Sequence, residues 1–192
     1  MTNKNDYIDR RILKSKKALK DAIISLMQQK DFKEVTISDI VRLADLNRGT
    51  FYKHYQYKED LLDDIIDEVI TDLIASYREP YQNIATFDVS KLSSNAIKIF
   101  EHVHKYAEFY KLIVNSNVLT SFQHKICIVI KDLVMQDVTG KLTNPNINKE
   151  LIASYHSYAI FGMMIELIHS GFKYSSSYMA EQLLAIIHSH NN

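Results

Sequence analysis

Between residues 61 and 74 the apolar residues come in pairs every four positions: Leu61-Leu62, Ile65-Ile66, Val69-Ile70 and Leu73-Ile74. A backbone turning once per 3.6 residues gathers all eight on one side, whereas a strand would send the members of each pair to opposite faces. The run belongs to a helix that opens near Lys58 and stops before Pro80, because proline disfavours helical backbone at the residue preceding it, here Glu79. A helix with such a stripe needs other apolar helices to cover it. The same period recurs at Ile12, Leu19, Ile23 and Leu26, and 192 residues with only 4 Gly and 2 Pro show no sustained strand-like alternation. The expected fold class is therefore all-α, with about nine helices.

The helices are expected over about 10–29, a short one after Thr36, 48–55, 58–79, 90–105, 107–114, 120–138, 149–170 and 176–190. A loop containing Pro145 is expected from Gly140 to Asn148. Apolar residues make up 46% of the chain, enough for a real core, and 24% charged residues argue against disorder. Cys127 is the single cysteine, so no intramolecular disulfide can form and nothing points to an oxidising compartment. Its apolar helix makes an inert thiol the expectation. Met1 to Tyr7 lacks an apolar signal core, and the most apolar stretch, Tyr158 to Ile168, is too short to span a bilayer and contains Glu166. A soluble cytoplasmic protein without a membrane partner is expected.

Chemistry beyond binding finds little support in the sequence. His102 with His104, and His188 with His190, stand two apart, and i, i+2 positions on a helix face different directions. No cysteine or acidic cluster joins them, so no metal and no cofactor is expected. No phosphate-cradling glycine loop or nucleophile motif is present, and the chain is not expected to be an enzyme.

Charge is more informative. The formal net charge is +0, yet residues 1–58 hold 13 Lys/Arg against 7 Asp/Glu and residues 59–192 hold 10 against 16. A basic module carried on an acidic body suits contact with a polyanion through one end only. The domain boundary is accordingly placed after Lys58, between a basic module of residues 1–58 and an acidic body of residues 59–192.

Within the basic module, Thr36-Ile37-Ser38-Asp39 reads as a capping box that starts a helix. Asp45-Leu46-Asn47 reads as a turn, with Asp tolerating a left-handed backbone and Asn47 capping the helix that follows. Two short helices across a three-residue turn, the second basic and rich in hydroxyls, form a helix-turn-helix over residues 36–55. In that geometry Arg48 leads into the major groove, where its fork of donors can pair with guanine. Gly49 permits close approach, and Thr50 offers a methyl or a hydroxyl. Tyr52, Lys53 and His54 project toward phosphates, and Phe51 and Tyr55 pack inward. Lys58, at the start of the next helix, together with Thr36 and Ser38, is expected to meet further phosphates.

Taken as an ordered set, Lys30-Asp31-Phe32, then Thr36 to Ile40, then Ala44 to Tyr55, then Lys58-Glu59-Asp60-Leu61-Leu62, closely resembles the DNA-binding domain of the TetR family. The resemblance covers roughly residues 10–62. It implies that Thr36, Ser38, Arg48, Gly49, Thr50, Tyr52, Lys53, His54 and Lys58 match the family's DNA-facing positions. Two departures stand out: Asp45 replaces a usual glycine, and Tyr57 replaces a small polar residue, which weakens the expected capping of the fourth helix.

The resemblance also implies that residues 1–58 are a helix-turn-helix DNA-binding domain and 59–192 a helical effector-binding and dimerisation domain. It implies a homodimer on a palindromic double-stranded DNA operator, with the last two helices forming the subunit interface. Ala159, Gly162, Met163, Leu183 and Ile187 are its expected members. The stretch from Ile165 to Leu184, with Gly171-Phe172 and Ser175 to Ala180, resembles a subgroup related to dihydroxyacetone-operon regulators, although Leu167 and Ile168 stand where that subgroup has an aromatic. A pocket for a small-molecule effector is drawn from His102, Tyr106, Phe109, Tyr110, Phe122, His156 and Tyr158, which mix aromatic walls with polar groups. The expected function is a repressor released by its effector. The alternative is a regulator of the same kind governed by a protein partner and lacking a small-molecule pocket.

Overall fold

A computed structural model describes residues 4–81, 97–137 and 146–189. Among the described residues there are nine α-helices and no strand. They are α1 (Lys4–Met27), α2 (Ile37–Leu43), α3 (Arg48–Tyr52), α4 (Lys58–Arg78), α5 (Ile99–Lys105), α6 (Ala107–Val114), α7 (Leu119–Asp137), α8 (Lys149–His169) and α9 (Ser176–Ser189). Single 3-10 turns cover Phe32–Glu34 and Glu79–Tyr81. The all-α reading holds. The start of the helix expected at Ser90, the Gly140–Pro145 part of the expected loop and the end expected at His190 lie outside the described residues. α3 is shorter than expected, closing at Tyr52 rather than Tyr55.

The chain divides into two compact units between Glu68 and Val69, inside α4 rather than at its start. The reason is the stripe itself: Leu61 and Leu62, in the first turn of α4, are already buried. In the first unit α1 packs on α2 and α2 on α3. Leu19, Ile23, Ile40, Phe51 and Leu61 are fully enclosed there.

The α2–α3 turn is closed by a Schellman motif. Leu46 N–H donates to Val41 C=O at 2.9 Å and Asp45 N–H to Arg42 C=O at 3.3 Å. Asp45 occupies the left-handed region that this motif demands, at φ 52°. The backbone at Asp45 is therefore the one read from the sequence.

In the second unit α7 and α8 form the main helix pair, α6 lies on α8, and α5 lies on α9. Asn148 caps α8 by accepting from Glu150 N at 2.9 Å and Leu151 N at 3.0 Å. By length and composition alone α8 is apolar enough to cross a membrane. In this fold, however, Ala153, Ser157, Ile160, Phe161, Met164, Leu167 and Ile168 form a buried side. Its other side exposes Leu151 at 70%, Tyr155 at 55% and Tyr158 at 54%. The helix ends in a second Schellman motif at Gly171, φ 69°, with Phe172 N–H donating to Leu167 C=O at 2.9 Å.

Candidate nucleic-acid interface

α2 begins with both halves of a capping box. Asp39 N–H donates to Thr36 Oγ1 at 3.1 Å, and Thr36 N–H donates to Asp39 Oδ2 at 3.2 Å. Asp39 also accepts from Lys30 Nζ at 2.8 Å and Arg42 at 2.8 Å. The bonds from Lys30 and Thr36 hold its carboxyl well below the usual carboxylate range. Asp39 therefore ties the end of the α1–α2 connector to the first turn of α2. The capping pattern was legible in the sequence, but the Lys30 partnership was not, because nine residues of sequence separate the two.

α3 is capped by Asn47, whose Oδ1 accepts from Thr50 N–H at 2.8 Å and Thr50 Oγ1–H at 3.1 Å. A Cβ at Gly49 would stand 3.2 Å from that same oxygen, tighter than ordinary contact. The glycine thus keeps the cap clear, a reason separate from close approach to a base. Arg48 is exposed and hydrogen-bonds Ser38 Oγ, joining the leading end of α3 to the first turn of α2. Tyr52 and Lys53 are exposed, with Tyr52 at 56%. Phe51 is fully buried and Tyr55 nearly so, at 0% and 6%. The two struts hold the short helix from behind, as the sequence suggested.

Two residues expected at phosphates have other partners here. His54 is half-buried, with Nε2 at 3.2 Å from Ser15 Oγ of α1. Burial, with Lys16 and Lys53 nearby, lowers its imidazole pKa below the ordinary value. Lys58 turns back over the Phe32 ring, its Nζ 4.6 Å from the centroid. It donates to the carbonyl oxygens of Phe32 at 2.7 Å, Lys33 at 3.1 Å and Val35 at 2.8 Å. An ammonium has three protons to donate. All three are accounted for inside the chain. The α4 start is itself capped: Asp60 Oδ2 accepts from Gln56 N–H at 2.9 Å and Tyr57 N–H at 2.8 Å. That carboxylate supplies the returning half of a capping box, while the Tyr57 side chain supplies no acceptor for the N–H groups of the first turn.

A second network lies behind α3. Tyr55 O–H donates to Asp64 at 2.6 Å, and Asp64 also receives Lys16 at 2.8 Å and Lys20 at 3.0 Å. Burial pushes the Asp64 carboxyl up, but the bonds from Lys16, Tyr55 and Lys20 outweigh it and leave it below the usual range. Nothing in the sequence singled out this set, since its members come from three separate elements.

In the second unit, five of the seven residues drawn as a pocket come together. His102 is 1% exposed, with Nδ1 2.9 Å from Asp72 and Nε2 3.0 Å from Tyr110 Oη. Tyr106 lies against the His102 ring at 4.8 Å. Phe109, Tyr110 and Phe122 interlock with ring centroids 5.7–5.9 Å apart. Lys105 completes the group at 2.8 Å from Asp72. Burial lowers the His102 pKa, against the raising effect of Asp72. A neutral imidazole donating from Nδ1 leaves Nε2 to accept the Tyr110 hydroxyl, which satisfies every member. His102, Phe109, Tyr110 and Phe122 thus meet edge to face, with the Tyr106 ring tilted against His102. Tyr158 instead points outward from α8, and His156 meets the ring of Tyr155 at 5.3 Å.

Of the five expected interface residues, Ala159 and Gly162 are exposed, and Met163 and Ile187 are half-buried. Leu183, at 6% exposed, is covered within its own chain. Its place on the periodicity of α9 was ambiguous, because Ile186, its i+3 neighbour, is equally apolar and 45% exposed.

Comparison with known proteins places this architecture. Residues 19–65 match a family described as bacterial regulatory proteins of the tetR family. Residues 90–189, more than half of the chain, match a family described as a transcriptional regulator C-terminal region. Among curated relatives, the chain is 26% identical over 190 residues to an uncharacterized HTH-type transcriptional regulator, YxbF, of Bacillus subtilis, covering 96% of this chain and 47% of that protein. It therefore spans about half the length of that relative. It is 28% identical over 162 residues to DhaS of Lactococcus lactis, an HTH-type dhaKLM operon transcriptional activator, covering 82% of this chain and 81% of the other. A TetR transcriptional regulator from Streptococcus agalactiae shares the fold at a TM-score of 0.61, with 20% identity over 95% of this chain and 98% of that one. Both matched families are of regulators rather than enzymes. On the helix-turn-helix geometry and on matches that together take in both units, the chain belongs to the TetR family of transcriptional regulators.

Proposed function

We propose that the chain binds double-stranded DNA as a homodimer on a palindromic operator and regulates transcription there. The observation that carries this reading is α3: Arg48, Tyr52 and Lys53 stand exposed on a short helix pinned from behind by Phe51. Rigid backing is what base readout in a major groove needs, since a loosely held donor fork cannot discriminate. Arg48, Gly49 and Thr50 are assigned to bases, and Thr36, Ser38, Tyr52 and Lys53 to phosphates. His54 and Lys58 are reassigned to holding the domain together.

The dimer reading is supported by α8, which is apolar on both sides while its own chain covers only one. Ala159 and Gly162 are small enough there for a partner helix to approach closely, with Met163 and Ile187 at the edge. Localisation in the cytoplasm follows from this role.

For the switch, the first reading is a repressor released by a small-molecule effector that favours one conformation. The second is a regulator governed by a protein partner. The His102 cluster favours the second, because the polar groups of His102 and Tyr110 already have partners within the chain. On sign, the relative DhaS is named an activator, which weighs against the repressor half of the first reading.

The test is selection of duplex from a randomised 30-bp pool, followed by fluorescence anisotropy on the enriched sequence. Arg48→Ala is expected to lower discrimination against a mismatched duplex by roughly 1–3 kcal/mol, about 5- to 150-fold. No enrichment, or unchanged discrimination in that variant, contradicts the reading.

A further inference from the structure

We propose that α1 carries a second DNA-contacting surface, a basic stripe of Arg10, Lys14 and Lys17 that grips phosphates flanking the half-site read by α3. The inference rests on the DNA-binding reading above and extends it to an element outside the helix-turn-helix.

Between Arg10 and Lys20 the sequence holds six basic residues and no acidic one. The structure sorts them by face. Lys16 and Lys20 turn inward and are neutralised, Lys16 by Asp64 at 2.8 Å and Lys20 by Asp64 at 3.0 Å together with Glu68. Arg10, Lys14 and Lys17 follow i, i+4, i+7 spacing, which places them on one side of the helix. All three are exposed, and none has an ion-pair partner among the described residues. The buried residues Leu19, Ile23 and Leu26 lie on the opposite side. Charges left unpaired beside paired ones on the same helix mark a surface built for an external polyanion.

Position supplies the second argument. Ser15 of α1 is 3.2 Å from His54, the residue immediately after the C-cap of α3. The α1 turn that carries Lys14 and Lys17 therefore lies beside the trailing end of the recognition helix, with the stripe on the solvent side of that turn. When the leading end of such a helix enters the groove, its trailing end stands against the phosphate wall. A basic stripe at that end is placed to follow the backbone outward, where contacts add affinity without sequence preference.

The experiment uses the full chain and the duplex enriched from the randomised pool, in two forms: the protected core alone, and the core extended by eight base pairs on each side. Anisotropy is measured across a salt series. The wild-type chain is expected to bind the extended duplex more tightly. The triple variant Arg10→Gln, Lys14→Gln, Lys17→Gln is expected to bind both lengths alike, with a salt slope on the extended duplex smaller by about 0.9 for each phosphate no longer neutralised. Gln keeps helix propensity, and melting by circular dichroism checks that the fold is intact. The charge-preserving variant Arg10→Lys, Lys14→Arg, Lys17→Arg is expected to keep the length dependence.

A triple variant that retains the wild-type length dependence and slope overturns the proposal, while weakened base discrimination in Arg48→Ala would show that DNA binding through α3 stands without it. If no duplex is enriched at all, the DNA-binding reading fails and the stripe proposal falls with it.

Discussion

Replacing Lys58 by Met separates two jobs open to one ammonium, stapling the fold and meeting a phosphate. The change keeps the aliphatic stem and removes the charge. If Lys58 is a staple, the loss falls on stability. Two of its three bonds, to Phe32 O and Val35 O, are partly shielded from water, and the third, to Lys33 O, is exposed. Counting only the shielded pair at a net value of about 1 kcal/mol each, and about 0.5 kcal/mol for the Phe32 ring contact, gives roughly 2.5 kcal/mol. For a chain of this size that corresponds to a fall in Tm of roughly 5–10 °C. The salt slope of DNA binding, measured below the melting range, is expected to stay at the wild-type value, because no phosphate partner has been removed. Circular dichroism melting and an anisotropy salt series read the two quantities separately. A variant that melts within about 1 °C of wild type while its slope falls by about 0.9 per protomer would refute the staple and restore Lys58 to the phosphate-binding set.

Three further outcomes follow from other parts of the chain. Asp45→Gly relieves a left-handed backbone at φ 52° and is expected to raise Tm by about 2 °C, whereas Asp45→Val lowers it; equal melting of all three proteins counts against the strain. His102 is held neutral, its pKa below the ordinary imidazole value, and His54 is shifted the same way. A histidine whose pKa is depressed by folding takes up a proton more readily when unfolded, so its contribution is present above about pH 6.5 and is lost as pH falls from there toward the lower folded value. Denaturant melts between pH 7.5 and 5 are expected to show falling stability, and His102→Gln to flatten the fall; a profile identical to wild type would contradict the assignment. At Gly162 a Cβ meets nothing within 4 Å inside the chain, so Gly162→Arg is tolerated by the fold and acts only on a partner. Sedimentation equilibrium is expected to show a dimer for wild type and a monomer for the variant, with unchanged circular dichroism.

The first unit was legible because its determinants are local. Thr36 with Asp39 and Asn47 with Thr50 are caps whose partners lie three residues apart, and Asp45 sits where a left-handed residue is needed, so reading along the chain finds them all. Illegible were the destinations of long side chains. Lys58 and Phe32 are 26 residues apart, His54 and Ser15 are 39, and no periodicity announces that a lysine at a helix start will fold back onto carbonyls rather than face a phosphate. Sequence position told where each cation begins, and packing decided where it ends.

The second unit inverts that balance. Its helices were foreseeable to within a residue or two at α6, α7 and α8, yet the roles of their side chains were not, because an aromatic-rich helix face serves a cavity wall and a closed cluster equally well. What distinguishes them is Asp72, an acid on α4 that the sequence offers no reason to pair with a histidine 30 residues later. Once Asp72 fixes the His102 ring, Tyr110 has a partner for its hydroxyl and the aromatic rings close around it. A small molecule entering there would have to break bonds that are already satisfied, and its own contacts would have to exceed them. The outer side of α8 carries no such penalty: Leu151, Tyr155 and Tyr158 are already in water, so covering them gains free energy without disrupting anything. On the reading proposed above, regulation through a surface is the less costly route, since it leaves the Asp72–His102–Tyr110 bonds in place.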